Sequence, residues 1–311
     1  MTTNAATKTP RSSGDWVGQW AVPALWLSLS FTLGPALAEA LDPRSRPVQL
    51  VASTGLWLVW AAALGASLVP RTTSLTAVRI VMPASVVAAG WAAWVSIDAS
   101  SFGASQAIGL AFAGAVTIVV LSSFTGDVYV NGSSYGDERR LPLRPPAGLL
   151  IGPIELAWIV CVVGFAAGPL LLAAQAWVLG GVLLAVGWPA SWFSARALHG
   201  LSQRWVVFVP VGFVLHDLMA LTDPILVPRR LVAALGPAPA DTDAADYTLG
   251  SLGLALQVDL TEPIGVSPLP RRTRPGQRPA LESVDVAAVL FAPTRPGAVL
   301  REARARRLPV R

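Results

Sequence analysis

Between residues 20 and 190 the chain reads as six apolar stretches divided by short polar breaks; beyond residue 200 the apolar runs shorten to strand length. An α-helix needs about 20 apolar residues to cross about 30 Å of hydrocarbon. The first part therefore predicts six membrane spans, at residues 20–40, 48–69, 77–97, 107–124, 149–167 and 169–189. Prolines inside them (Pro23, Pro35, Pro83, Pro153) are compatible with spanning, because neighbouring helices satisfy the freed backbone groups. Gly109, Ala113, Gly114, Gly180 and Gly181 predict close helix contact. Trp16, Trp20, Trp188 and Trp192 fall at the expected span ends, where an amphipathic ring is most stable. With five spans following it, the first is expected to be retained rather than cleaved as a signal peptide.

After residue 201 the pattern is that of strands. Residues 205–211 and 213–216 flank Gly212 and predict a hairpin; residues 225–227, 231–235, 252–260 and 286–291 predict further strands. Thr294 is placed to cap a closing helix that has Pro296 in its first turn and runs to about residue 307. Strands followed by one helix is the order of a small antiparallel barrel or sandwich plugged by a helix. The organisation expected is a polar tail (1–19), a six-helix transmembrane domain (20–190), a linker (191–200) and a β domain (201–311).

Composition agrees with this division. The chain is 53% hydrophobic and 13% charged, above and below the usual proportions of a soluble protein. Its single cysteine, Cys161, excludes an intramolecular disulfide. The net charge of +5 divides as +1 up to residue 190 (9 basic, 8 acidic) and +4 beyond it (14 basic, 10 acidic). The basic residues are 22 Arg and one Lys, a bias that fits a GC-rich bacterial genome. Arginine is concentrated near residues 71–79, in the 125–147 loop and in the C-terminal domain. The alternate loops carry only Arg44 and Arg46. Excess positive charge stays cytoplasmic, so both termini are expected inside, in a cell (inner) membrane.

The RWVVFVPVGFVLHD hairpin, the strands around LGLALQVDL and VAAVLFAP, and the closing RPGAVLREARARR helix carry a resemblance. Over its last third the chain resembles the bacterial PH-like proteins, in which membrane helices lead into a pleckstrin-homology-like domain. It is also similar to multi-pass membrane proteins common in actinobacteria. The resemblance implies an α-helical membrane bundle followed by a mostly-β, PH-like domain of seven strands, of which six are visible in the sequence. It implies a binding or scaffolding platform, while fold alone does not establish function.

Candidate chemistry is concentrated in the 125–146 loop. There Asp127, Tyr129, Asn131, Tyr135, Asp137, Glu138, Arg139 and Arg140 gather in a chain otherwise poor in functional groups. Such a loop can collect donors and carboxylates for an ion or a phosphate head group, dock onto the C-terminal domain, or serve as a solvated connector. Asn131-Gly132 marks a tight turn. Glu155 is the one carboxylate well inside an expected span, which makes it a transport or proton-site candidate unless it pairs structurally, for instance with Arg79. Arg271, Arg272, Arg274 and Arg278 lie in a Pro-rich stretch, 263–279, that is either solvated or faces anionic lipid. The C-terminal Arg301, Arg304, Arg306, Arg307 and Arg311 suit the end of a helix. His199 and His216 lack metal-ligand spacing, and no cofactor motif is present. Nucleic-acid binding is not expected, since the basic residues lack interleaved aromatics.

The favoured reading is a cytoplasmic binding or scaffolding domain on six membrane helices. Its expected partners are a membrane or envelope-assembly protein and membrane lipids. A small ion-coupled transporter using Glu155 and a membrane-embedded enzyme using the 125–146 loop remain as alternatives.

Overall fold

A computed structural model describes residues 13–269 and 283–311, with side chains from residue 19 onward. Over the described residues the chain forms two compact units and passes between them three times. One unit is helical, running to Gly132 and resuming over Ile154–His199; the other comprises Ser133–Pro153 and Gly200–Arg311.

The helical unit contains α1 (Ser13–Thr32), α2 (Gly34–Leu41), α3 (Arg46–Leu68), α4 (Thr72–Asp98), α5 (Ala104–Leu121) and α6 (Ser123–Asn131), then α8 (Pro153–Ala173) and α9 (Trp177–Leu201). Among the described residues five helical segments are long and apolar enough to cross a membrane, or six if the bent pair α1–α2 counts as one span. That pair bends by 40° at Leu33, where Pro35 removes a backbone donor.

The last two predicted spans are displaced. Pro169 lies inside α8 and Pro189 inside α9, because a spanning helix tolerates proline when its neighbours satisfy the freed carbonyl. The break falls instead at residues 174–176, where Gln175 adopts φ 63°. Trp188 and Trp192 consequently lie within α9 rather than at a span end. The predicted 191–200 linker is helical and completes α9.

Close backbone approach holds α8 and α9 together. A Cβ on Gly187 would fall 2.6 Å from Gly164 O, and one on Gly168 would fall 2.8 Å from the backbone of Leu184. Gly180 packs on Leu172, whereas Gly181 and Gly114 face open space. Indole N–H groups supply further links between helices. Trp26 and Trp60 donate to each other's carbonyls (2.9 and 3.3 Å), Trp158 Nε1 donates to Ile80 O (2.9 Å), and Trp188 Nε1 donates to Phe165 O (3.2 Å). Where hydrocarbon replaces water, a carbonyl is the available acceptor.

The second unit is mostly β. Its first sheet joins β1 (Arg139–Pro142), β2 (Trp205–Val209), β3 (Gly212–His216) and β4 (Ile225–Pro228) as an antiparallel meander. A Cβ at Gly212 would fall 2.0 Å from Val227 O, so glycine is what allows β3 to approach β4 there. The second sheet has the order β5 (Val232–Pro237), β7 (Leu256–Val266), β8 (Val284–Phe291), β6 (Ala245–Asp246), with β6 parallel to β8. A short helix, α7 (Ala147–Leu150), lies between β1 and α8, and α10 (Pro296–Ala305) closes the unit.

The core combines Leu141, Val206, Phe208 and Leu215 of the first sheet with Leu235, Leu256, Val258 and Phe291 of the second. Val299 and Ala303 of α10 complete it. Each such burial stabilises by about 1.5–3 kcal/mol.

Several predicted boundaries shift. The strand expected at 252–260 runs over Leu256–Val266 and so takes in the start of the predicted 263–279 loop; its irregularity between Asp259 and Ile264 accommodates Pro263. The two-residue β6 corresponds to none of the strands expected from the sequence. Thr294 does not cap α10; its Oγ1 donates to Pro142 O at 3.1 Å, tying the helix entrance to β1.

Candidate functional site

The strand no pattern announced, β1, determines how the 125–146 region is divided. Its first part is not loop but α6, capped by Ser122, whose Oγ accepts from Thr125 N at 3.3 Å. On α6 Asp127 and Tyr129 are buried in the helical unit, and Tyr129 Oη donates to Ser67 O at 3.1 Å. Asn131 ends the helix. A Cβ at Gly132 would fall 2.1 Å from Pro70 O, so Gly132 serves close packing.

Tyr135, Asp137, Glu138, Arg139 and Arg140 belong to the β unit. The eight residues expected on one loop are thus shared between two units.

On the outer face of the first sheet Glu138 pairs with Arg140 (3.1 Å), and the Arg140 guanidinium lies 5.6 Å over the Trp205 ring. Trp205 stacks on His216 at 4.8 Å, and His216 Nδ1 is 3.0 Å from Gln203 O. Register produces this column: Trp205 lies directly opposite His216 and diagonally from Arg140. Tyr135 is 87% exposed, and Asp137 contributes its carbonyl, which accepts from Arg306 Nη2.

The most buried polar cluster went unseen in the sequence. Arg204 Nε and Nη2 donate to Asp217 Oδ1 and Oδ2 at 2.8 and 2.7 Å, both side chains being almost wholly buried. Arg204 Nη1 donates to Arg144 O (2.7 Å), and Asp217 Oδ1 also accepts from Met219 N (3.0 Å). The pair therefore fastens the end of the β2–β3 hairpin to the segment leaving β1. The signal that would have found it is positional: Arg204 and Asp217 are equidistant from the Pro210-Val211 turn, so the hairpin register sets them opposite each other.

In the helical unit Glu155 occupies the first turn of α8, with its side chain on the outside of the unit. A carboxylate at that end is favoured by the helix dipole. Arg79 donates to Val120 O and Ser122 O, both at 3.4 Å, and Thr76 Oγ1 lies 2.8 Å from His199 Nδ1. Gln106 Nε2 donates to Glu39 Oε2 at 2.7 Å.

In the β unit Arg311 reaches Asp259 (2.7 Å) and Arg306 reaches Glu302 (2.6 Å), so these two arginines serve the fold. Arg271, Arg272, Arg274 and Arg278 lie outside the described residues. An open groove of about 470 Å³ runs along residues 242–245 and 284–288. Its polar wall is a chain of hydrogen bonds from Thr242 through Gln257 to Asp259. Among the described residues no three His, Cys, Asp or Glu converge as a metal site would require. Comparison of the chain with models of protein families, with curated proteins and with solved structures found no match in any of the three.

Proposed function

We infer that the protein is a membrane-anchored binding or scaffolding module. Its β unit is a cytoplasmic PH-like domain, and its partner is a membrane or envelope-assembly protein, with anionic lipid as a second contact. The observation that carries this reading is the strand order. With the two-residue β6 set aside, the described residues of the β unit form seven strands in two sheets closed by a C-terminal helix. The seventh, invisible to the sequence pattern, is β1, contributed from before the α8–α9 hairpin. Both termini are placed in the cytoplasm on the distribution of Lys and Arg. The buried titratable pair Arg204–Asp217 is committed to holding strands together.

The test is affinity capture from cross-linked native membranes, comparing the intact chain with one truncated after Leu198. A stoichiometric partner that is lost on truncation supports the reading. Should the intact chain come out alone, the scaffold function fails.

A further inference from the structure

One end of the β unit carries large apolar side chains on its outside, and it is the end at which the chain leaves for α8 and returns from α9. Arg204 stands just before β2 and holds Arg144 O. Arg144 in turn donates Nη1 to Leu252 O at 2.6 Å, and Ser251 Oγ donates to Pro145 O at 3.0 Å. Asp217 joins the same network through Arg204. Three connecting segments, 143–152 (which includes α7), 217–222 and 249–254, are thereby fastened together. Each turns apolar side chains outward: Ile151 is 88% exposed, Leu218 50%, Leu252 66% and Leu254 50%. Soluble surfaces scatter such residues singly, whereas a cluster at one end marks an interaction surface.

We propose that this rim lies in the interfacial layer of the bilayer, with Ile151, Leu218, Leu252 and Leu254 among the head groups and upper acyl chains. Chain continuity identifies lipid as the occupant. Ile151 stands just before the start of α8, and α9 ends just before Arg204, and both helices have the length and apolarity of membrane spans. The rim is thus held where lipid is the nearest solvent, and apolar area buried there adds to membrane affinity. The network also suits that position: the Leu252 carbonyl and the Arg144 and Pro145 carbonyls are hydrogen-bonded, so the loops bring few unsatisfied backbone groups into an environment poor in water. This surface is separate from the arginine-rich stretch and does not depend on the binding-module reading.

The test uses the full chain carrying Cys161→Ser, reconstituted in phosphatidylcholine–phosphatidylglycerol vesicles. Single cysteines replace Leu252, Leu254 or, as a control, Val211, which is 64% exposed at the opposite end of the β2–β3 hairpin. Each is labelled with an environment-sensitive fluorophore. The expected result is blue-shifted emission at 252 and 254 that spin-labelled lipid quenches, with water-like, unquenched emission at 211. Water-like emission at 252 and 254 would overturn the proposal. So would blue-shifted emission that lipid quenchers do not touch, since that means protein covers the rim. A nitroxide at 252 gives an independent check, and relaxation stronger with oxygen than with a soluble nickel chelate is the result required.

Discussion

The two units solve opposite solvent problems with the same amino acids. In the β unit the large apolar side chains point inward, and Phe208, Phe291, Leu256 and Val258 are shielded from solvent. In the helical unit many point outward: Trp94 is 74% exposed, Ile118 73% and Val178 84%. The first unit is held by burial of apolar area. The second adds to a smaller buried core small residues that let backbones touch and indole–carbonyl hydrogen bonds, the devices expected where hydrocarbon is as apolar as leucine. What counts as a structural side chain therefore changes along one chain, from phenylalanine in the sheets to glycine in the α8–α9 hairpin.

The largest test of that contrast is Asp217→Ala. It leaves the Arg204 guanidinium buried without its partner and should cost the β unit about 3–5 kcal/mol, read as a lower thermal midpoint and faster proteolysis after residue 200. Replacing both residues together, Arg204→Met with Asp217→Leu, should recover most of that loss if the pair is structural.

The helical counterpart is Gly187→Leu, which has no room beside Gly164. Cys161 Sγ lies 3.4 Å from Ser191 O, so a Ser191→Cys variant should cross-link to Cys161 through a short bifunctional reagent. Adding Gly187→Leu should abolish that cross-link while leaving the β unit's melting unchanged. A smaller effect is expected of Tyr129→Phe, which removes the hydrogen bond to Ser67 O and should cost about 1 kcal/mol, measured by thermal unfolding in detergent. Smallest is Glu155→Gln: on the exposed first turn of α8 it should leave both unfolding and cellular activity unchanged. A loss of activity at normal abundance would revive the transport reading.

Much of this arrangement could be read from the residues, and the failures have physical causes. The second, third and fourth apolar helices, α3, α4 and α5, are legible because length and apolarity fix them, whereas the first expected span is broken into α1 and α2. The last hairpin is not, because Pro169 and Pro189 look like helix ends yet lie inside helices whose neighbours accommodate them. The β2–β3 hairpin is evident from the two strand-length apolar runs that flank Gly212, and α10 from the proline in its first turn. Strand β1 is four residues, Arg-Arg-Leu-Pro, with a single inward side chain, Leu141, and it becomes a strand only by pairing with β2. The 125–146 region misled for the same reason. Its polar residues look like one cluster along the chain, but Asp127 and Tyr129 are buried in one unit while Glu138 and Arg140 build the surface of the other. Arg204–Asp217 was hidden because neither residue is remarkable until the hairpin register brings them together.

Strand β1 also imposes an order on synthesis. It leaves the ribosome before α8, and its partner β2 follows only after the whole α8–α9 hairpin. At 5–20 residues per second the intervening stretch of about 60 residues takes about 3–12 s to make. Throughout that interval β1 must wait without its partner, and the first sheet can close only once the whole α8–α9 hairpin has been made. A chain interrupted within that hairpin would therefore display an unfinished sheet to the cell's proteases, so assembly of the β unit reports on completion of the α8–α9 hairpin.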